Sequence, residues 1–386
     1  TEDEARSKEE PYIRAQVLAN INVFFDVDAE DSPKMTTHEY HIEMNEGDTG
    51  EALKSRSQRF SINERAFLQA KCALMVRLDR IERKGGPHNN SIVLVPYMDR
   101  IKASYTKWKE KGLAIDVEMF KAANEAEVSQ WYRLTLDLRA LNKRTKFKRF
   151  PLPRVDDSLT NRKSGRWSTG DIMDAFYTMK ASEESRQWTG FTTHEGHFVM
   201  KVMPQGAVNA AMCWAEAVAA TFKPLQEEHK EELLIYQDDI FNNANLLGRH
   251  LDLNMEIYEA LVGAGLKIKP SKYHANYRQM KVVGHVMTRT GRFSDPELVR
   301  AITELGNPTD QGQVRSLIGL ALVAREYVHE LAEILAPLQD LVRKGVEVKT
   351  AWEEPVHGAA LRTLKAILTS KPVLLNIDLT KPFRVH

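Results

Sequence analysis

Tyr236-Gln237-Asp238-Asp239 stands between two apolar runs, Leu233-Leu234-Ile235 and Ile240-Phe241. Two short β-prone runs around an acid pair read as a hairpin whose tip carries carboxylates. A second acidic element lies upstream, Trp167-Ser168-Thr169-Gly170-Asp171-Ile172-Met173-Asp174-Ala175-Phe176. Three carboxylates, Asp171, Asp238 and Asp239, delivered from two strand ends can hold two divalent cations side by side. Magnesium suits such a site, because it takes oxygen ligands and leaves room for substrate phosphates. Manganese accepts the same donors. Paired cations lower the pKa of an attacking hydroxyl and clamp the attacking and leaving oxygens. An Asp pair is also an ordinary turn, since Asp bonds its own backbone there. The acids gain meaning only from what lies between and around them.

Between the two elements, Glu195-Gly196 is a turn signal and His197 to Val202 reads as a strand. The pattern breaks at Pro204 and Gly206 and continues as a small-residue helix from Ala207 to Ala220. Such an opening lets another backbone or a flat base approach closely; it equally suits a tightly packed core helix. Upstream, Arg139, Lys143, Arg144, Lys146, Lys148, Arg149 and Arg154 occur with no acid among them. That run can track phosphates, or be a solvated loop. The interleaved Phe147, Phe150 and prolines favour the first reading.

The 386 residues suffice for two or three domain-sized units, and 42% hydrophobic with 28% charged residues allows a core and solubility. A net charge of +1 confines any nucleic-acid attraction to a local channel. No apolar run approaches the length of a membrane span, so no membrane partner is expected. Cys72 and Cys213 are far apart and offer neither a metal spacing nor a disulfide framework. A reducing, intracellular setting is expected, with no compartment indicated. There is no signal-like segment and no initiator Met.

Read in order, the motifs are Leu141-Asn142-Lys143, Pro151-Leu152-Pro153-Arg154, Ser168 to Asp171, Met203 to Gly206, Tyr236 to Asp239, Gly265-Leu266-Lys267 and Val283-Gly284-His285. This order and spacing resembles the reverse transcriptases of gypsy-type LTR retrotransposons, from about His38 to the last residue. Asp171-x-x-Asp174-Ala175-Phe176 and Pro204-Gln205-Gly206 are closer to retroviral enzymes. The resemblance implies an α+β right hand: fingers, a palm with an antiparallel sheet, a thumb, and the start of a connection domain. The divisions expected are an N-terminal extension at 1–35, without assigned function, and fingers at 36–146 and 179–209. The palm would take 147–178 and 210–290, the thumb 291–345, and the connection 346–386. The chain stops before the first RNase H carboxylate of the family, so no RNase H activity is expected of it.

By the resemblance, Asp171 and Asp238 bridge two magnesium ions and Asp239 supports them. A primer 3′-hydroxyl on an RNA or DNA template then meets a deoxynucleoside triphosphate. Phe176 sits under the sugar and excludes a 2′-hydroxyl, unless it is only a core aromatic. Arg133 and Gln205 contact the nucleotide, and Lys272 donates a proton to pyrophosphate, with Lys267 and Lys269 as alternatives. Arg139, Lys143, Arg144, Lys146 and Arg154 touch the nucleic-acid backbone. Gly284 lies in the hairpin at the primer end, and Gly319 lets a thumb helix approach the minor groove.

Three features depart from the family. Its fingertip lysines are Tyr97 and Met98 here, its thumb aromatics are Leu322 and Val323, and Arg100 to Gln130 is inserted where a short turn belongs. Lys102, Lys107, Lys109 and Lys111 with Tyr105 and Trp108 suit phosphate and base contacts, and equally a surface helical hairpin packing on Trp108; the insertion is expected to project from the fingers onto nucleic acid or a partner. These departures leave a second reading beside the RNA-directed DNA polymerase: a domesticated structural RNA-binding subunit of a ribonucleoprotein.

Overall fold

The computed structural model describes residues 2–24, 32–55, 58–110, 125–151, 159, 162, 164–370 and 373–375. Its strands, in chain order, are β1 Glu39–Tyr40, β2 Ile81–Arg83, β3 Ser91–Pro96, β4 Tyr132–Asp137, β5 Arg166–Asp171, β6 Lys180–Ala181, β7 Phe191–Thr193, β8 Gly196–Met200, β9 Leu233–Tyr236, β10 Asp239–Ala244, β11 His274–Tyr277, β12 Met280–Val282, β13 His285–Met287, β14 Gly291–Ser294 and β15 Val373–Leu375. No helix among the described residues is long and apolar enough to cross a membrane.

Leu233-Leu234-Ile235 is apolar throughout because both faces of its sheet are covered. The sheet is antiparallel in the order β11-β5-β10-β9. Side chains alternate across it. Leu233, Ile235 and Ile240 join Trp214, Phe222, Leu253, Ile257 and Leu261 of the helices Ala210–Glu228 and Leu247–Gly263. Leu234 and Phe241 face the other way, onto Trp167, Met280, Val282 and Met287. Gly265 closes the second helix at φ +71°, where a Cβ would stand 2.1 Å from the Lys34 carbonyl oxygen. Only glycine fits that approach.

A second core lies under the ribbon β3–β4 and the sheet β2-β8-β7. The helix Ile62–Arg77 begins with a capping box, Ser61 accepting from the Glu64 amide and Glu64 from the Ser61 amide. The insertion starts as the helix Met98–Glu110 and returns through Glu125–Val128. Helical spacing turns Ile101, Ser104 and Tyr105 to one side. Ile101 and Val128 are buried, and Tyr105 stacks at 6.5 Å on the fully buried Trp131. Trp131 Nε1 donates to Ser104 Oγ at 3.2 Å, and the Ser104 hydroxyl donates to Glu127 at 2.6 Å. Tyr105 is therefore a core contact, which corrects the expectation that it stacks on bases. Lys107 pairs with Glu127 at 3.3 Å, while Lys102 and Lys109 stay exposed. Lys111 and the Trp108 side chain lie outside the described residues. Trp131→Ala is expected to cost about 3–5 kcal/mol, read by urea unfolding. A loss under about 1 kcal/mol would mean that the insertion does not share this core.

The helices Pro296–Thr303, Gln311–Val323, Leu331–Asp340 and Ala359–Thr369 build a third core. Leu361, Leu364 and Leu368 recur on one helical face and are buried in it. The expected division at 346 thus falls inside a shared core, and β15 pairs with β14. At the other end, the helix Glu2–Ala19 docks beside β11. Glu9 accepts from Asn276 Nδ2 at 2.7 Å and from Arg278 at 3.2 Å, and pairs with Arg166. Gln16 donates to the Leu251 carbonyl at 2.6 Å. These groups hold Glu9 charged: the two arginines and Asn276 outweigh its desolvation and lower its pKa. The extension assigned no role is part of this sheet's surroundings.

Candidate active site

Asp171 ends β5 and Asp239 begins β10, and the register pairs them directly. Asp239 also pairs with Tyr236, so Gln237 and Asp238 form a two-residue turn. Gln237 takes φ +56°, a conformation costly outside Gly, Asn and Asp. Two contacts hold it there. Trp214 Nε1 donates to the Gln237 carbonyl at 3.0 Å, and the Ile172 amide donates to the Asp238 carbonyl at 2.7 Å. A strained turn fixed from outside places the acid pair beside Asp171.

A cleft opens here, lined by Asp171, Asp174, Phe176, Gln205, Asp238 and Lys272 among others. The Lys272 ammonium pairs with the Asp171 carboxylate, which raises the Lys272 pKa, with Asp239 and Asp238 adding to it. The Lys269 amide donates to the Asp171 carbonyl at 2.9 Å, and the Lys269 side chain lines the cleft. Burial, then the charges of Asp238 and Asp171, push Asp239 up to about 6, against the opposing pull of Lys272. Its folded pKa exceeds the unfolded value of 3.8. The folded chain therefore binds the extra proton between these values, and this stabilisation is lost as pH rises through about 6. Asp239→Asn is expected to raise the melting midpoint of the chelator-treated chain at about pH 7.5 and to leave it unchanged near pH 4. The rise is a few degrees, since about 1 kcal/mol moves the midpoint by roughly 2–4 °C and this half-exposed group is screened. A midpoint lowered at pH 7.5 would show that Asp239 is stabilised as an anion.

The donors fit a hard divalent cation: all are carboxylate oxygens, and a cationic ammonium already neutralises one. Their oxygens do not all come within 4.8 Å of one another, however; among the described residues only Glu228, His229 and Glu256 meet that spacing. Like charges keep the three aspartates apart, and Lys272 draws on Asp171. The closer trio is a helix clamp. Arg249 approaches His229 Nδ1 at 2.7 Å, and Nε2 lies 2.6 Å from Glu256. A guanidinium only donates, so Nδ1 accepts, Nε2 carries the proton to Glu256, and no nitrogen lone pair is left for a metal.

Phe176 is half-buried, edge-on to Trp214 at 6.5 Å, with one side on the cleft. Arg133, on β4, donates to Gln205 Oε1 at 3.0 Å, so the two expected nucleotide contacts are already joined. Asn142 was named only as part of a motif, yet it clamps that loop: Nδ2 donates to the Gly206 carbonyl, and Oδ1 accepts from Val208, both at 2.9 Å. Gly284 has φ +85° and Val283 φ +43° in the turn between β12 and β13, and a Cβ on Gly284 would meet Val323 at 3.6 Å. Gly319 is exposed with open space above it.

The basic run is largely paired. Arg139 holds the neighbouring Asp137, while acids from other segments reach the rest: Arg144 holds Asp48 bidentately at 2.6 and 2.7 Å, Lys146 lies 3.7 Å from Glu43, and Lys148 pairs with Glu216. Arg144 also lies over Trp188. Lys143 is exposed, with no acid at ion-pair distance among the described residues. Arg154 lies outside the described residues. The expected open track is thus reduced, because acids distant in sequence fold onto it.

A family model described as reverse transcriptase (RNA-dependent DNA polymerase) matches residues 121–287. The chain is 29% identical over 260 residues to the retrovirus-related Pol polyprotein from transposon 297 of Drosophila melanogaster, covering 67% of this chain and 24% of that one. Over 264 residues it is 28% identical to the Pol polyprotein from transposon gypsy of the same organism, covering 65% and 25%. Residues 121–287 thus match the reverse transcriptase family model, and the chain is similar to the Pol polyproteins of gypsy-type LTR retrotransposons. It spans about a quarter of the length of these curated relatives. Its fold is the right-hand polymerase fold. The foamy viral protease–reverse transcriptase in complex with an RNA/DNA hybrid superposes with a TM-score of 0.76 at 19% identity, over 96% of this chain and 45% of that one. A form in complex with double-stranded DNA gives 0.78, also at 19%, over 96% and 59%.

Proposed function

We propose that this chain is the RNA-directed DNA polymerase unit of a retroelement, extending a primer 3′-hydroxyl with deoxynucleoside triphosphates. One observation carries the reading: the register that sets Asp171 against Asp239, with Asp238 in the fixed turn beside them. Asp171 and Asp238 would hold two magnesium or manganese ions, with Asp239 adding negative charge behind them. Bound there, the ions would supply hydroxyl activation and charge neutralisation. Lys272, its pKa raised by Asp171, keeps a proton at Nζ for a departing pyrophosphate. Arg133 and Gln205 bind the nucleotide, Phe176 rejects a 2′-hydroxyl, and Gly284 and Gly319 let the primer end and minor groove come close. Positioning and charge neutralisation are most of what phosphoryl transfer needs. The solved relatives in complex with RNA/DNA hybrid and double-stranded DNA support a primer–template as partner.

The test is extension of a DNA primer on an RNA template by the wild-type chain. Incorporation that needs magnesium and stops with a chelator is expected. RNA binding without incorporation would sink the polymerase reading in favour of the ribonucleoprotein subunit.

A further inference from the structure

Arg80 is a buried cation outside the residues used above. Its side chain is 7% exposed. It donates to Asp174 Oδ2 at 2.6 Å and to Ser32 Oγ at 3.0 and 3.2 Å, and its guanidinium lies 5.1 Å from the Tyr177 ring centroid. Its backbone is fixed on both sides: the amide donates to Met75, and the carbonyl accepts from Lys201, each at 2.8 Å. The preceding Asp79, at φ +53°, is held by Lys34 and Lys201. Arg80 is thus anchored at the end of the Ile62–Arg77 helix and reaches across to the cleft.

Asp174 has a left-handed φ of +49° and precedes the turn Ala175–Thr178, and its carbonyl accepts from Tyr177 at 2.7 Å. Phe176 lies within that turn. Asp174 also lines the cleft with Asp171 and Asp238. Unpaired, it would be a fourth carboxylate free to compete for whatever cation the other three hold. A buried ion pair is weak evidence for stability, because apolar groups of the same volume serve as well. Its geometry here has a different effect: the guanidinium withdraws the Asp174 carboxylate and pins the loop that bears Phe176.

We infer that Arg80 is a positioning residue for nucleotide selection, acting through Asp174 on the Phe176 loop. The inference deepens the polymerase reading and rests on it. Arg80→Met keeps the volume without the charge; Arg80→Lys keeps the charge without the fork. Arg80→Met should raise KM for deoxynucleotides at least ~10-fold with a smaller change in kcat. It should also lower the preference for deoxyribonucleotides over ribonucleotides, and Arg80→Lys should restore part of both. The double variant Arg80→Met/Asp174→Asn should be no worse than Arg80→Met, since the two groups act as one. Hydrogen exchange over residues 171–178 is measured on the same proteins and should be faster in Arg80→Met. An unchanged KM and preference beside an active wild type would overturn the inference, even with a lowered melting midpoint. An inactive wild type would sink the polymerase reading, and unchanged exchange over 171–178 would then still overturn the positioning role.

Discussion

Asp238→Asn is expected to abolish nucleotide incorporation, by about 10²–10³-fold or more, while the chain folds and holds primer–template as before. The Asp238 carboxylate makes no hydrogen bond or ion pair among the described residues. Its backbone does the structural work, through the Ile172 amide. The turn is held from the Trp214 side as well. Asparagine keeps the shape and every one of those bonds. It removes a negative charge and an anionic oxygen donor, and nothing else at the site replaces them. Single-nucleotide extension under saturating primer–template separates the two effects. Incorporation equal to wild type would remove Asp238 from the mechanism. A large drop in melting midpoint would mean that its role is structural.

Phe176→Val is expected to admit ribonucleotides, lowering the deoxy-to-ribo preference by about 10–200-fold, the range one missing apolar contact gives. The ring rests edge-on against Trp214 and leaves one side to the cleft. Valine clears the outer part of that space, where a 2′-hydroxyl would stand. It also removes a partly buried contact, so a modest loss of stability accompanies the change. Competition between paired deoxy- and ribonucleotides on one template measures the ratio directly. An unchanged ratio with lost stability would make Phe176 a core aromatic and nothing more.

What could be read in the sequence was local. The acid pair between apolar runs gave the hairpin β9–β10, because turn chemistry and period are carried by neighbouring residues. Apolar positions at helical spacing run from Asn63 to Glu82, but the helix ends at Arg77 and Ile81 already belongs to β2; the helix's capping box fixes the start. What escaped was long-range. The basic run from Arg139 contains no acid, yet Asp48, Glu43 and Glu216 come to it from far along the chain. Glu9 and Arg278 meet across 269 residues, and the packed face of the helix that carries Glu9 shows only Ile13 and Val17 as apolar signals beside Glu9 and Gln16. Tyr105 looked like a stacking platform because lysines surround it in sequence; the helix turns Lys102, Lys107 and Lys109 outward and the ring inward. Arg80 belongs to no motif, and lies 94 residues before the motif acid Asp174 that it holds.

The central claim is that Asp171 and Asp238, backed by Asp239, gather two cations for nucleotide transfer. Anomalous diffraction from crystals of the chain with manganese, primer–template and a non-hydrolysable nucleotide tests it most directly. Two manganese peaks are predicted, each within about 2.0–2.3 Å of an Asp171 or Asp238 carboxylate oxygen, with the Lys272 ammonium displaced from Asp171. No peak at these acids with nucleotide bound, or manganese only at Glu228, His229 and Glu256, would contradict the account.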